Sequence, residues 1–271
     1  MEKDIFDIWK KRASAGQGSE VDALRKVLDP SDARGIKNSY IDAYLKHYLR
    51  RYLSPDGSDI LLEVGCGIGR LTEYMSQFVH AAYGIDIIDG FIDDCIANPK
   101  KNKNTYYLHS DEISELKEIR ANKMYIVWVL MYLIDKAELI KALNTYRGWL
   151  PDLKTAVVIE QVKSSTQLQY REGKIYCCYR TIEEYLEIFA MSGFKVESYH
   201  VLGERHNGFF YKLVHIACNV LPRALVKYAD KLFYIDKFIL GGDAGRIKLI
   251  NSKRPTDVLF RLELPERGIT P

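Results

Sequence analysis

Short apolar runs alternate with longer segments of helical spacing from residue 60 onward. The run Ile-Leu-Leu-Glu-Val at residues 60–64 is typical of a strand buried on both faces of a parallel sheet. Similar runs predict five further strands at residues 81–85, 105–109, 123–127, 155–160 and 194–201. Helical spacing predicts helices at residues 71–78, 137–150 and 181–192. The alternation predicts an α/β fold, a doubly wound, Rossmann-like sheet with helices on both faces.

The flanking segments add helices and a last strand. Residues 1–57 are predicted to form an N-terminal helical cap, with tyrosines recurring at helical spacing up to the turn Ser-Pro-Asp-Gly at its end. Residues 58–201 form the predicted sheet core, and 202–244 a helical lid insert. Residues 245–271 contain the last strand, expected at residues 245–252, and a C-terminal tail.

Composition and charge narrow the class of protein. The chain has 271 residues and a formal net charge of +3, too small to indicate nucleic-acid binding. Its five cysteines have no metal-ligand spacing, which favours free thiols in a reducing compartment. The charged N-terminus predicts no secretory signal, and no run of apolar residues is long enough to span a membrane. We therefore expect a cytoplasmic protein, with contact to a membrane surface left open.

Three alternating glycines follow the first predicted strand. Gly65, Gly67 and Gly69 lie where a strand meets a helix, and glycine permits both a positive φ and close approach of a ligand to the backbone. A dinucleotide fold requires a third glycine where this chain has Arg70, which argues against an NAD-dependent enzyme. A structural turn without a ligand is the simpler alternative.

Two acids at strand ends favour a nucleoside ligand. Asp86 ends the second predicted strand, where a carboxylate can accept hydrogen bonds from both ribose hydroxyls. Asp111 follows the third strand. A non-catalytic subunit that only retains the fold would be expected to have a damaged glycine loop, and this loop is intact.

These residues together resemble the class I S-adenosylmethionine (SAM) dependent methyltransferases, in particular those of types 11 and 12. The resemblance covers residues 58 to about 201 and implies a seven-stranded sheet whose last strand is antiparallel. It implies SAM as cofactor and S-adenosylhomocysteine (SAH) as product, with Asp111 receiving the adenine amino group. The cofactor-binding residues that it implies are Glu63, Gly65, Cys66, Gly67, Gly69, Arg70, Asp86, Ile87, Asp111, Glu112 and Trp128.

A second, partial resemblance concerns the protein N-terminal methyltransferases. The string Gly67-Ile68-Gly69-Arg70 is similar to theirs and implies that Arg70 holds the SAM carboxylate. The segment from Trp128 to Leu133 is also similar, and it implies that Trp128 lies where the methionine end of SAM meets the acceptor. A core tryptophan and a surface arginine remain the alternatives.

Residues for the acceptor and for proton removal are expected near the same sheet edge. Candidate bases are Glu160, at the end of the fifth strand, and His206, after the sixth. Metal-dependent O-methyltransferases use carboxylates or amides after strands four and five. Here Asn122 before strand four and Glu160 form an incomplete set, so we expect no metal. Candidate substrate-binding residues are Tyr132, Tyr179, Arg180, Trp9 and Tyr40.

The expected activity is SAM-dependent methylation of a hydroxyl on a small molecule or sugar, which could be part of a glycan or attached to a carrier. The alternative is N-methylation of an amine or a protein N-terminus, which an acidic pocket formed by Glu160 with Asp135 or Glu204 would support. The Asp/Asn-Pro-Pro-Tyr/Phe motif of adenine-methylating nucleic-acid enzymes is absent after strand four. The expected partner is therefore a small acceptor and not a nucleic acid.

Overall fold

The computed structural model describes residues 3–15, 20–98, 102–109, 112, 116–202, 213, 228–239 and 255–264. The helices are α1 (Lys3–Ala13), α2 (Glu20–Val27), α3 (Ile36–Leu53), α4 (Arg70–Met75), α5 (Asp89–Ala97), α6 (Leu116–Ile119), α7 (Lys136–Trp149), α8 (Ile182–Met191) and α9 (Ala229–Ile239). The strands are β1 (Ile60–Val64), β2 (Ala81–Ile85), β3 (Thr105–Leu108), β4 (Lys123–Val127), β5 (Thr155–Val162), β6 (Gln167–Arg171), β7 (Lys174–Tyr179), β8 (Lys195–Leu202) and β9 (Thr256–Glu263). Short 3₁₀ turns follow α4 and β4, at Ser76–Phe78 and Leu130–Tyr132.

Seven strands form one sheet in the order β3-β2-β1-β4-β5-β9-β8. The paired strands from β1 to β5 run parallel, whereas β9 runs antiparallel to both β5 and β8. The predicted doubly wound sheet with an antiparallel last strand is confirmed. That strand lies at Thr256–Glu263, where Val258, Leu259 and Phe260 are fully buried. Residues 245–252, which we expected to form it, lie outside the described part of the chain.

Both faces of the central strands are covered, which explains their uninterrupted apolar runs. Leu62, Ile126 and Val158 point into the core on the side of α7 and α8. Their strand neighbours Leu61 and Tyr125 point into the opposite core, which α3 covers. Because successive side chains of a strand face opposite ways, each strand contributes to both cores and holds the loops at its end in fixed positions.

Helix α3 buries a line of tyrosines against the sheet and against α9. Phe233 of α9 packs edge-to-face on Tyr40 and Tyr44, with ring centroids 5.7 and 5.9 Å apart. Tyr40 is completely buried in this interface. The helix α9, which packs on α3, therefore makes up most of what the structure describes of the predicted lid. The larger part of the segment 202–244 lies outside the described residues.

An antiparallel hairpin, β6–β7, follows β5 and was not predicted. Its turn at Glu172 and Gly173 has positive φ at both residues, 53° and 76°, as a tight hairpin turn requires. Strand β7 contacts α1, and Lys174 pairs with Asp4 at 2.7 Å. The hairpin thus holds the N-terminal helix over the carboxyl-end edge of the sheet. No helix in the described residues is both long and apolar enough to cross a membrane.

Candidate functional site

The glycine loop turns sharply between β1 and α4. Gly65, Gly67 and Gly69 all have positive φ, at 76°, 53° and 73°. A Cβ atom at Gly67 would lie 2.8 Å from Cγ1 of Val27, closer than carbon atoms normally approach. The N–H groups of Gly65 and Cys66 donate to the carbonyl oxygen of Ile85 at 2.8 and 2.9 Å. The loop is therefore tied to the end of β2 and requires glycine for its conformation.

Asp86 ends β2, and its carboxylate fixes the centre of this loop. Oδ2 accepts a hydrogen bond from the N–H of Gly67 at 2.8 Å, and Oδ1 accepts one from the N–H of Ile88 at 2.9 Å. Burial raises the pKa of this carboxyl, whereas the N–H donors of Ile88, Gly67 and Ile87 act to lower it. A carboxylate has about four acceptor positions, so Asp86 retains capacity for a hydroxyl on a ligand.

A cavity of about 320 Å³ opens beside the loop, at the carboxyl ends of β1, β2 and β4. In doubly wound sheets, ligands bind at this edge. The described lining residues are Trp9, Val27, Glu63, Val64, Gly65, Cys66, Gly67, Arg70, Leu71, Ile85, Asp86, Ile87, Ile88, Phe91, Val127, Trp128, Val129, Tyr132, Leu133, Tyr146 and Trp149. The structure thus brings together eight of the predicted cofactor residues and two of the predicted substrate residues.

Glu63 and Arg70 are the charged groups nearest to the start of the loop. The Glu63 carboxylate accepts hydrogen bonds from the Thr72 hydroxyl and, at 3.1 Å, from the Tyr125 hydroxyl. Burial raises the pKa of Glu63 to about 7, although these hydrogen bonds and Arg70 act to lower it. Arg70 donates from Nη1 to Asp42 at 2.6 Å. Because a guanidinium has five N–H donors, Arg70 has further donors for a carboxylate on a ligand.

Trp128 forms the wall of the cavity after β4. Its φ of 55° lies in the left-handed region, which a bulky residue adopts only when its surroundings enforce it. Its N–H donates to the carbonyl of Ile159 at 2.9 Å, and its Nε1 donates to Oδ1 of Asp257 at 3.2 Å. The other Asp257 oxygen accepts from the Tyr44 hydroxyl at 3.1 Å. Asp257, a completely buried residue of β9, therefore orients Trp128, and it was not among the predicted site residues.

The predicted substrate residues Trp9 and Tyr132 meet at the cavity, whereas Tyr40 does not reach it. The ring of Tyr132 packs edge-to-face on Trp9, with centroids 5.3 Å apart. Burial, followed by the nearby Tyr176, raises the pKa of Tyr132 well above its usual value, so its hydroxyl stays protonated. Tyr40 lies in the core between α3 and α9 and is corrected here to a packing residue.

Glu160, one of the two predicted bases, holds the turn after β4. Its carboxylate accepts hydrogen bonds from the N–H groups of Val129, Leu130 and Met131 at 2.9, 2.7 and 3.3 Å. The residue is 0% exposed and does not line the cavity. Burial raises its pKa to about 8, against the effect of these donors. Its geometry is that of a structural acceptor for three backbone donors, so the prediction of a catalytic role is not supported.

Arg180 and Tyr179 are also placed away from the cavity. The Arg180 guanidinium is 1% exposed and donates to the carbonyls of Leu133 and Ile134, each at 2.7 Å. It also pairs with Glu184 of α8 at 3.2 Å. Arg180 therefore ties the post-β4 segment to α8 and is not available to a substrate. Tyr179 lies at the end of β7 with its ring beside the Lys163 ammonium, 5.1 Å from the centroid.

Of the remaining predicted residues, two are described by the structure and two are not. Cys66 lines the cavity, but burial and the neighbouring Cys95 thiol raise the pKa of its own thiol well above the usual value, so the thiol packs as a neutral group. Glu112 accepts a hydrogen bond from the His109 N–H at 2.9 Å and does not line the cavity. Asp111 and His206 lie outside the described residues, so their predicted roles stay predictions.

The backbone and side-chain groups of this site fit SAM, the cofactor that the fold implies. The N–H groups and open backbone of the glycine loop suit a ligand at close range, and the carboxylate of Asp86 suits ribose hydroxyls. Ile87, which is 53% exposed beside Asp86, offers an apolar surface for a base. Arg70 suits a carboxylate. Each of these four features corresponds to a part of SAM.

Comparisons with known proteins agree with this assignment. Residues 62–149 match the family described as a methyltransferase domain. A 23S rRNA (uracil(1939)-C(5))-methyltransferase of Tolumonas auensis is 27% identical over 101 residues, which cover 36% of this chain and 22% of that enzyme. The chain therefore matches about a fifth of the length of this curated relative.

Solved structures share the fold at low sequence identity. The geranyl diphosphate C-methyltransferase of Streptomyces coelicolor A3(2), in complex with Mg²⁺, geranyl diphosphate and SAH, is 14% identical with a TM-score of 0.57 over 97% of each chain. A methyltransferase structure from a Haloferax volcanii complex with the Trm112 methyltransferase activator is 13% identical with a TM-score of 0.55 over 98% of each chain. Residues 62–149 thus form a methyltransferase domain, and the sheet topology is that of the class I SAM-dependent methyltransferase fold.

Proposed function

We propose that the chain transfers a methyl group from SAM to a hydroxyl of a small molecule. The observation that carries the proposal is the hydrogen bond from Gly67 to Asp86, which fixes a glycine loop at the mouth of an otherwise mainly apolar cavity. In this proposal Asp86 holds the ribose, Ile87 contacts the adenine, and Arg70 pairs with the methionine carboxylate. Trp128 contacts the end of the cofactor from which the methyl group leaves.

Bound SAM supplies a methyl carbon made electrophilic by its sulfonium. The protein has to place the acceptor oxygen about 3 Å from that carbon and in line with the carbon–sulfur bond. Trp128 and Tyr132 would hold the acceptor there and exclude water. As the oxygen–methyl bond forms and the sulfur departs with its electron pair as SAH, the hydroxyl proton must leave.

Removal of the proton needs a base, and the two described carboxyls that line the cavity already have other roles, Glu63 with Thr72 and Tyr125 and Asp86 with the glycine loop. The raised pKa of Tyr132 keeps its hydroxyl protonated, so it can orient the acceptor by a hydrogen bond but not take the proton. Glu160 is occupied by three backbone donors. His206, which lies outside the described residues, therefore remains the proposed base.

The arrangement of acids favours a hydroxyl over an amine. An amine acceptor would be attracted by an acidic pocket, for which the sequence offered Glu160, Asp135 and Glu204. Asp135 instead caps α7, where its side chain accepts from the N–H of Glu138 at 2.8 Å. Glu160 faces the backbone, and Glu204 lies outside the described residues. The placements of Asp135 and Glu160 remove two acids from the pocket expected for an amine, and N-methylation stays the alternative.

The experiment that tests this proposal labels the transferred carbon. The protein is incubated with SAM carrying a ¹³C-methyl group and a small-molecule extract, and the products are examined by carbon NMR and mass spectrometry. We expect a labelled methyl resonance of the O-methyl type and stoichiometric SAH. A labelled N-methyl or C-methyl product would contradict the hydroxyl acceptor. Absence of SAH binding by the folded protein would overturn the methyltransferase activity itself.

A further inference from the structure

The described walls of the cavity combine a few charged residues with many apolar and aromatic ones. Its charged lining residues, Glu63, Arg70 and Asp86, all belong to the glycine loop region where the cofactor is proposed to bind. The other described lining residues are apolar or aromatic, apart from the glycines and Cys66. Apart from these three residues, the described lining residues carry no charged side chain, and the Arg12 guanidinium lies over the Trp9 ring at 4.7 Å without lining the cavity.

The aromatic residues around Trp9 form an ordered group of rings. Trp9 lies between Phe91 and Tyr132, with centroid distances of 6.3 and 5.3 Å and interplanar angles of 61° and 80°. Tyr132 in turn packs against Tyr176 of β7 at 5.6 Å and 73°, and their hydroxyl oxygens are 3.4 Å apart. Edge-to-face rings of this kind present both faces and edges, to which a further aromatic ring can pack.

Helix α1 holds Trp9 in place before any ligand binds. Ile5 is completely buried, and Lys174 of the hairpin pairs with Asp4 at 2.7 Å. At the other end of the helix, the Lys26 ammonium donates to the carbonyl of Ala13 at 3.3 Å and pairs with Asp94 at 2.8 Å. Because α1 is fixed at both ends, the indole does not have to be ordered when the acceptor binds, which favours affinity.

A sugar matches these walls poorly. Each sugar hydroxyl that leaves water needs a hydrogen-bond partner, and a hydroxyl left without one in an apolar cavity is unfavourable. The described lining residues offer two side-chain hydroxyls, those of Tyr132 and Tyr146, which are fewer than the hydroxyls of a sugar. A flat ring with one hydroxyl would bury its apolar surface against Trp9 and Phe91 and direct its oxygen toward Tyr132.

We propose that the acceptor is an aromatic alcohol of the phenol class and that Trp9 selects it. This inference rests on the proposed function, because it places the acceptor beside the cofactor in the same cavity. Trp9 recognises the ring, and Tyr132 orients the hydroxyl that receives the methyl group.

The test is a binding measurement in the presence of saturating SAH. The probes are 2-naphthol and methyl β-D-glucopyranoside, compared at equal concentration by saturation-transfer NMR, followed by titration calorimetry on variants. We expect 2-naphthol to bind and the glucoside not to bind. Trp9→Ala is expected to weaken naphthol binding by about tenfold, and Trp9→Phe by less, because phenylalanine retains a ring.

Controls separate this inference from the proposed function. SAH affinity is measured on every variant, and Tyr199→Ala removes an exposed ring of β8 outside the cavity as a matched control. The proposal is overturned if 2-naphthol does not bind, if the glucoside binds equally well, or if Trp9→Ala and Trp9→Phe bind naphthol like the unaltered protein. Failure of SAH to bind to the unaltered protein would instead count against the proposed function.

Discussion

The carboxylate of Asp86 accepts a hydrogen bond from the N–H of Gly67 at 2.8 Å, so the residue that ends β2 fixes the loop that follows β1. The two strands are parallel neighbours, and Val64 and Ile85 are paired at their ends. Their carboxyl ends therefore bring the glycine loop and the acid to the same point of the sheet edge. In the proposed function this contact prepares the loop for the nucleoside of SAM.

Gly67→Ala should reduce both stability and SAH binding. The φ of 53° at this position disfavours an L-residue by about 1–2 kcal/mol, and the new Cβ would meet Val27 at 2.8 Å. Thermal unfolding and calorimetric titration with SAH measure the two effects. Gly57→Ala is the matched control, since no heavy atom lies within 4 Å of a Cβ at that position. Equal SAH affinity in the two variants would refute the role assigned to the loop.

Glu63 should make the protein less stable as the pH rises. Its pKa is raised to about 7 by burial, so the folded state holds a proton that the unfolded chain releases near pH 4.5. The stabilisation is complete below about pH 4.5 and is lost as the pH rises through 7. A shift of this size corresponds to a change on the order of 3 kcal/mol.

The measurement is urea unfolding of the ligand-free protein between pH 5 and pH 8. In Glu63→Gln, which cannot ionise, the decline in unfolding free energy over this range should be smaller. Glu183→Gln, at an exposed position of α8, serves as the control and should decline like the unaltered protein. An unchanged decline in Glu63→Gln would show that Glu63 is not the group that titrates.

Trp128 and Asp257 should be energetically coupled. The indole N–H donates to a carboxylate that is completely buried and that also accepts from Tyr44. We expect unfolding free energies of Trp128→Phe, Asp257→Ala and the double variant to give a coupling of about 1–2 kcal/mol. Additive effects of the two substitutions would mean that the hydrogen bond contributes nothing to the position of Trp128.

The sheet could be predicted from the sequence because its strands are buried on both faces. The runs at residues 60–64, 81–85 and 123–127 coincide with β1, β2 and β4. The hairpin was missed because β6 is largely exposed and carries no such run. Its Glu-Gly turn, with both residues at positive φ, was the available signal.

The order of glycines and acids also predicted that the loop, Arg70 and Asp86 would meet at one cavity, since the carboxyl ends of parallel strands lie at one edge of the sheet. It could not predict the acceptor end. Glu160 and Arg180 have the residue types of a base and a substrate ligand, but backbone groups of residues 129–134 occupy them in the folded chain. Which partner a buried charge finds depends on tertiary contacts, and Asp257 was overlooked for the same reason.

The central claim is that the glycine loop and Asp86 bind the nucleoside of SAM. Calorimetric titration with SAH tests it most directly on the unaltered protein, on Asp86→Ala and on Asp93→Ala, which removes an exposed carboxylate of α5 outside the cavity. NAD is titrated as a control ligand. The account predicts micromolar SAH binding that Asp93→Ala retains and folded Asp86→Ala loses, with no binding of NAD. SAH binding that survives in Asp86→Ala, or NAD binding that exceeds it, would contradict the account.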